Sequence, residues 1–242
     1  MNEKQRQQLD DQGYLIFRNV LSPADIKAIL SRLDELWATE GDQAGKENYL
    51  EPGVRRLANL ANKGQMFRNL YAHPQVLEVI ETVMGPDVRA STVNARDVPP
   101  YTGVRMPFHM DSDKGRARDE KGYSAATAIW MLDEFSVASG ATAFVPGSHL
   151  LGKSPKEILT DLNALHPDEI VIEGQPGDVL VFNGHCWHAG RPNETVNHRR
   201  AILVHYLRAD VPRPENRRQH VDADHAVALS SRERELIGLD DE

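Results

Sequence analysis

The stretch that most constrains the fold begins after Gly85, where helix-like patterns give way to short strand-like runs. These runs contain β-compatible residues and are separated by turn signals such as Pro146-Gly147 and Gly177-Asp178. Predicted strands cover residues 89–98, 124–132, 141–145, 179–182 and 200–207. Strands at such short intervals are typical of a sandwich or a barrel. We therefore predict a mainly β fold with flanking helices.

Helical patterns dominate the residues before this region. Ser22 can cap a helix that starts at Pro23, and Asp25 stands at the capping-box position. Apolar residues then recur at helical spacing, which gives this helix one face to pack on a sheet. A strand is predicted at residues 14–17 and a second helix from Pro74 to Met84. We expect one domain, with helices over about residues 1–85, a β core over about 86–210 and a tail over 211–242.

Composition excludes several classes of function. The 242-residue chain has a net charge of −8, so we expect no general binding to nucleic acid or to an anionic membrane. No apolar run approaches the roughly 20 residues of a membrane span, and the first residues hold no segment typical of a secretory signal. The single cysteine, Cys186, excludes an internal disulfide and suits a reducing compartment. We expect a cytoplasmic protein that acts on a small molecule.

His109 and Asp111 form the first candidate site. Residues at positions i and i+2 of an extended segment point to the same face, so these two side chains can approach one ligand together. An imidazole and a carboxylate, completed by a distant histidine, can occupy one face of an octahedral metal and leave three positions open, as in non-haem Fe(II) sites. The pair taken alone is more often a surface histidine and aspartate that bind no metal, so the assignment depends on the surrounding residues.

The segment from Phe182 to Gly190 supplies candidates for the distant ligand. His185, Cys186 and His188 are donor types that zinc prefers, but the chain has no second cysteine to complete such a site. The two histidines differ by three positions, so on a strand they face opposite sides and at most one reaches a given site. We expect Cys186 to behave as a small buried hydrophobe and the other histidine to be packed or hydrogen-bonded.

Arg199 begins a predicted strand and is the second candidate for a ligand contact. Alternation places it on the face that also carries Ala201, Leu203 and His205. An inward-facing arginine needs a partner, and a carboxylate that accepts two hydrogen bonds is the natural one. That carboxylate belongs either to a structural Asp or Glu of this chain or to a bound ligand, and the residues alone do not decide between them.

Taken in order, these features resemble the phytanoyl-CoA dioxygenase family from about Leu9 to Leu207. The motifs that carry the resemblance are Gly13-Tyr14-Leu15-Ile16, His109 with Asp111, Pro146-Gly147-Ser148-His149, Gly177-Asp178, His188 followed by Asn193, and Arg199. Members of this family are Fe(II)- and 2-oxoglutarate-dependent oxygenases with a double-stranded β-helix core, a cupin-like jelly roll. The resemblance implies Fe(II) as the metal, with 2-oxoglutarate and O2 as co-substrates.

The resemblance also assigns roles to individual residues. The implied iron ligands are His109, Asp111 and His188. His188 is preferred over His185 because in this family the distal histidine precedes the co-substrate arginine by the interval that separates His188 from Arg199. Arg199 would then hold the distal carboxylate of 2-oxoglutarate. Asn94 and Thr127 would make further contacts with the co-substrate, because their strands line the site in relatives.

The implied reaction is hydroxylation of a small organic molecule with release of succinate and CO2. Asp111 favours oxidation over halogenation, because related halogenases replace this carboxylate with a small residue. The basic residues Arg105, Lys114, Arg116 and Arg118 flank the ligand pair in an acidic chain. They are either solvated loop residues or a means of selecting an anionic substrate.

Two other classes of function stay open from the sequence. The first is a catalytically silent β-barrel that binds a metabolite or regulates another protein. The second is a cupin-like metalloenzyme that does not use 2-oxoglutarate. Replacement of Arg199 by alanine would discriminate the second class, because that change removes co-substrate binding only where 2-oxoglutarate is used.

Overall fold

The computed structural model describes residues 1–47, 50–111, 118–212 and 219–239. The α-helices in these residues are α1 (Glu3–Gln12), α2 (Pro23–Glu40), α3 (Gln65–Tyr71), α4 (Pro74–Met84), α5 (Pro155–Ile158), α6 (Ala223–Ala226) and α7 (Ser231–Ile237). The strands are β1 (Tyr14–Phe17), β2 (Arg55–Leu57), β3 (Val88–Val98), β4 (Ala125–Met131), β5 (Ala143–Val145), β6 (Ile170–Val171), β7 (Val179–Asn183), β8 (Trp187–Ala189) and β9 (Arg199–Arg208). Short 3-10 helices lie at Gly41–Gln43, Leu60–Asn62 and Ser148–Leu151. All the strands predicted from the sequence are confirmed, with bounds that differ by one or two residues.

The strands form two antiparallel sheets that pack face to face. The larger sheet has the order β1-β7-β4-β9-β3-β2 and the smaller has the order β6-β5-β8. Aromatic rings join the two sheets: the ring of Phe144 in β5 lies 5.2 Å from Tyr14 in β1 and 5.7 Å from Phe182 in β7, between centroids. Two sheets packed around a shared interior, with helices outside, make a jelly roll, so the predicted fold class is confirmed.

Alternation along the central strands separates an inner face from an outer face. In β4, Ile129 and Met131 point between the two sheets, whereas Ala128 and Trp130 point toward the helices. Register carries the same division across the sheet, because Ile129 pairs with Leu180 of β7 and Leu203 of β9. The inner face is therefore apolar over much of its area, and the polar residues on it call for an explanation.

The helices cover the outer face of the larger sheet. Helix α2 starts as predicted: the Asp25 N–H donates to Ser22 Oγ, and the Ser22 N–H donates back to the Asp25 carboxylate. Helix α1 is not predicted from the sequence because it has no apolar stripe, and Leu9 is its single buried residue. Within the described ranges no helix has the length and hydropathy needed to cross a lipid bilayer.

Candidate metal centre

The chain brings His109, Asp111 and His188 together through backbone pairing. Between His109 and His188 there is an isolated antiparallel bridge, with N–H···O bonds of 3.0 Å in both directions. Two residues on, the Asp111 N–H donates to the carbonyl of Gly184 at 2.8 Å. The ligand atoms of the three side chains lie within 4.8 Å of one another. The expectation that His109 and Asp111 point to one side, toward a distant histidine, is confirmed.

The backbone also fixes which nitrogen of each histidine is free. Nδ1 of His109 lies 2.9 Å from the carbonyl of Pro107, and Nδ1 of His188 lies 3.0 Å from the carbonyl of Cys186. A carbonyl can only accept, so we assign the Nδ1 proton to each of these bonds. Each Nε2 then presents a lone pair to the shared space, which is the usual arrangement for histidine bound to a metal.

Asp111 uses its two oxygens differently. Oδ1 lies 3.5 Å from Nε2 of His188, on the side of the proposed metal. Oδ2 accepts a hydrogen bond of 2.6 Å from the Thr127 hydroxyl, whose oxygen lies 3.1 Å from Nδ1 of His205. The Thr127 hydroxyl has a single proton, which it donates to Asp111. We therefore place a proton on Nδ1 of His205, which donates it to the Thr127 oxygen. The structure thus places Thr127 against a metal ligand.

The electrostatics of the three side chains favour a cation between them. Burial opposes the ionisation of Asp111, but the charge and hydrogen bond of His188 outweigh it and lower the pKa of Asp111. Burial, followed by the charge of His188, lowers the pKa of His109 to about 4, so this ring is neutral near pH 7. Burial opposes protonation of His188, yet the charge and hydrogen bond of Asp111 outweigh it and raise the pKa of His188.

His185 and Cys186 do not join this cluster. Nε2 of His185 accepts a hydrogen bond of 3.2 Å from the Ser124 N–H, so its lone pair is already in use. Sγ of Cys186 is buried 3.4 Å from Nδ1 of His149, and burial raises the pKa of this thiol. Cys186 is a small buried residue, as expected, and the zinc alternative has no support in this geometry.

Arg199 faces the inner space and is 3% exposed. Its Nε and Nη2 atoms are buried and have no hydrogen-bond partner in the part of the chain that the structure describes. The guanidinium carbon lies 4.9 Å from the ring centroid of Phe135. Burial, followed by the charge of Arg96, lowers the pKa of Arg199 to about 9, so the group is charged near pH 7. No structural carboxylate forms an ion pair with Arg199 among the described residues, although the charges of Glu51 and Asp97 act on it.

Asn94 shares this inner face. It pairs in register with Leu203 of β9, it is 6% exposed, and its Oδ1 lacks a hydrogen-bond partner within the described residues. Arg96, two positions further along β3, also faces inward and was not singled out from the sequence. Alternation along β3 predicts that Arg96 shares a face with Asn94. No pattern in the sequence predicts its ion pair with Glu51, which lies 45 positions earlier in the chain.

The structure describes the surroundings of two of the four basic residues near His109 and Asp111. Arg105 forms an ion pair of 2.7 Å with Glu169, whose other oxygen lies 3.4 Å from Arg191. Arg118 is exposed, and Lys114 and Arg116 lie outside the described residues. Arg105 is therefore a paired side chain and not a freely solvated one.

The residues present fit both groups that the resemblance implies. Two imidazoles with free Nε2 atoms and one carboxylate are a donor set for a divalent metal such as Fe(II). The buried guanidinium of Arg199 has unused donors of the kind that a carboxylate of 2-oxoglutarate would accept.

Comparisons with known proteins agree with this geometry. The phytanoyl-CoA dioxygenase (PhyH) family model matches residues 9–201. The Dioxygenase af480 of Aspergillus fumigatus is 28% identical over 239 residues, which cover 96% of this chain and 75% of that protein.

Two solved structures share the fold. The non-heme alpha ketoglutarate dependent carbocyclase SnoK from nogalamycin biosynthesis has a TM-score of 0.69 and 23% identity, with 95% of this chain and 91% of that chain covered. HygX from Streptomyces hygroscopicus, solved with nickel and 2-oxoglutarate bound, has a TM-score of 0.68 and 18% identity, with 87% and 88% covered. The chain belongs to the phytanoyl-CoA dioxygenase family and is an iron- and 2-oxoglutarate-dependent oxygenase.

Proposed function

We propose that this protein hydroxylates a small organic molecule, with release of succinate and CO2. The proposed Fe(II) ligands are His109, Asp111 and His188. When bound, the metal and 2-oxoglutarate supply the oxidising chemistry with O2, and the protein supplies position and exclusion of water. The single observation that carries the proposal is Arg199, because a buried, charged guanidinium with two unpartnered nitrogens on the inner face fits a carboxylic co-substrate.

The remaining side chains have proposed roles in the same site. Arg199 binds the distal carboxylate of 2-oxoglutarate through its free donors. Asn94, whose Oδ1 is buried on the same face, contacts the co-substrate. Thr127 is also expected to contact the co-substrate. Its hydrogen bond to Oδ2 of Asp111 supports a further role, in which it orients that carboxylate toward the metal. With Oδ2 held by Thr127, Asp111 offers Oδ1 alone to the metal, which keeps the opposite positions open for ligands.

The presence of Asp111 supports hydroxylation over halogenation. A carboxylate at this position, held by Thr127 and paired with His188, occupies the site that a halide would need. The substrate would therefore be hydroxylated or otherwise oxidised, and not chlorinated. Analysis of products by mass spectrometry in chloride buffer would contradict this proposal if a chlorinated product appeared.

The test of the proposed function is an anaerobic titration followed by exposure to oxygen. We expect Fe(II) and 2-oxoglutarate to give a visible charge-transfer absorption, and oxygen to give succinate. Arg199→Ala should remove the absorption, while Arg200→Ala, whose native arginine is paired with Asp133, should retain it. Absence of both signals in the unaltered protein would favour a silent binding module. Oxygen-dependent turnover that is unchanged in Arg199→Ala would favour a cupin-like enzyme that does not use 2-oxoglutarate.

A further inference from the structure

Arg96 lies on the inner face, where it pairs in register with Ala201, two positions after Arg199 on β9. It is directly opposite Arg56 in the β2–β3 register, and its side chain is 14% exposed. A Cβ atom added at Gly190 would lie 3.1 Å from Nη2 of Arg96, so the guanidinium reaches across to the chain just after His188. Its charge acts on the metal ligands His109 and His188 as well as on Arg199.

The charges around Arg96 do not balance. Glu51 accepts from Arg56 through one oxygen and from Arg96 through the other. Two guanidiniums that share one carboxylate retain one positive charge, on side chains that are only 16% and 14% exposed. Nε of Arg96 is buried and unpartnered among the residues placed by the structure. A largely buried charge without a counter-charge is unfavourable, so an anion bound here would stabilise this set.

The co-substrate does not supply that anion. 2-Oxoglutarate carries two carboxylates, and two positive charges already balance them. One is Arg199, and the other is the net charge of a divalent metal whose protein ligands include one carboxylate, Asp111. The charge on Arg56, Glu51 and Arg96 is left over after the co-substrate has bound.

We propose that the oxidised substrate is a carboxylic acid whose carboxylate binds Arg96. A monoanion matches the one remaining charge, and the planar fork of arginine suits a carboxylate. This inference rests on the proposed function and names the substrate class for the same site. It assigns anion recognition to Arg96, which acts on the metal side of the inner face, whereas Arg105 is held by Glu169.

The test uses matched acids and amides as probes. Anaerobic protein with Fe(II) and 2-oxoglutarate is titrated with acetate and acetamide, benzoate and benzamide, and octanoate and octanamide, and the charge-transfer absorption is followed. In at least one pair we expect the acid to perturb the absorption at a concentration at least about tenfold below that of the amide. Arg96→Met should abolish this preference. Arg55→Met, which removes an arginine paired with Asp97 on the outer face of β2, should retain it.

Glu51→Gln should change the affinity for the acid in the opposite direction from Arg96→Met. It raises the local positive charge and frees Arg96, so we expect tighter binding of the acid, whereas a purely structural Arg96–Glu51 pair predicts the same loss in both variants. Arg96→Lys keeps the charge and should keep part of the preference if Arg96→Met fails to fold. The proposal is overturned by equal losses in Glu51→Gln and Arg96→Met, or by the lack of acid preference in the unaltered protein.

Two further outcomes separate this inference from the proposed function. If Arg96→Met weakens 2-oxoglutarate binding as much as Arg199→Met does, Arg96 is a co-substrate contact and the substrate inference is wrong. If the unaltered protein gives no charge-transfer absorption with 2-oxoglutarate, the proposed function fails and this inference fails with it. A normal absorption without any acid preference removes the inference on Arg96 alone.

Discussion

The two ends of the inner space differ in how their polar atoms are satisfied. At the metal end, both Nδ1 atoms of His109 and His188 have backbone carbonyls, and Oδ2 of Asp111 has the Thr127 hydroxyl. At the guanidinium end, donors of Arg199 and Oδ1 of Asn94 are buried without partners among the described residues. The candidate metal ligands are therefore oriented by the fold itself, whereas the guanidinium end keeps buried polar atoms that the described residues do not satisfy.

This difference has an energetic meaning. Orienting the metal ligands in advance means that binding the metal requires little rearrangement of the protein. Leaving a charged guanidinium buried and unpaired lowers the stability of the ligand-free protein, because desolvation has no compensating bond. We therefore expect substitutions at the metal end to lower both the free energy of unfolding and metal binding. Substitution of Arg199 should raise the free energy of unfolding and lower the binding of 2-oxoglutarate.

The largest expected effect is the loss of a metal ligand at the satisfied end. His188→Ala removes one of the three donors, and we expect Fe(II) affinity to fall by more than about 100-fold, beyond the range for residues that only support a ligand. Anaerobic metal titration measures this change. The control is His185→Gln, three positions earlier, where Nε2 accepts from Ser124 and takes no part in the cluster. An equal loss in both variants would contradict the choice of His188.

Arg199→Met tests the unsatisfied end. We expect 2-oxoglutarate affinity to fall by about 100-fold, because two charge-assisted hydrogen bonds are lost, while the ligand-free protein becomes more stable. The control is the adjacent Arg200→Met, where Nε and Nη2 already bind Asp133 at 2.7 and 2.9 Å. That change should leave 2-oxoglutarate affinity intact and lower the free energy of unfolding by about 1 kcal/mol. Calorimetry and denaturant unfolding check both halves, and a destabilised Arg199→Met would be inconsistent with an unpaired charge.

Thr127 allows a smaller change at the metal end. Thr127→Val keeps the shape of the side chain but removes the proton given to Asp111, so we expect metal affinity to fall by about tenfold. Thr127→Ser retains the hydroxyl and should restore most of the affinity. Loss of affinity in the serine variant as well would assign the effect to packing and not to the hydrogen bond with Asp111.

The smallest expected effect near neutral pH concerns protons at the metal end. Asp111 raises the pKa of His188 above its ordinary value, so as pH falls through this raised value the ring gains a proton that the metal must displace. Metal affinity should then fall by up to about tenfold for each further unit of pH, with one proton released per metal bound. Titrations in buffers of different ionisation enthalpy measure that proton. Binding without proton release below the raised pKa would show that His188 is not a ligand.

Local patterns predicted much of this architecture. The capping box at Ser22 and the helix from Pro74 to Met84 were visible because caps and apolar periodicity act over a few residues. Alternation correctly placed Arg199 on the inner face for the same reason. Helix α1 was not predicted, because its capping residue Asn2 is followed by polar residues that give no stripe.

The sequence by itself determined that His109 and Asp111 would share a side, because two positions on an extended chain return to the same face. It also supplied an arginine that needed a partner. Local spacing left both histidines open and the family resemblance favoured His188; only the tertiary structure gave the physical reason, since Nε2 of His185 accepts from Ser124 whereas that of His188 lies 3.5 Å from Asp111. It also showed that Arg199 has no carboxylate among the described residues and that Glu51 is shared by two arginines. Those facts depend on contacts between residues far apart in the chain, on which local spacing carries no information.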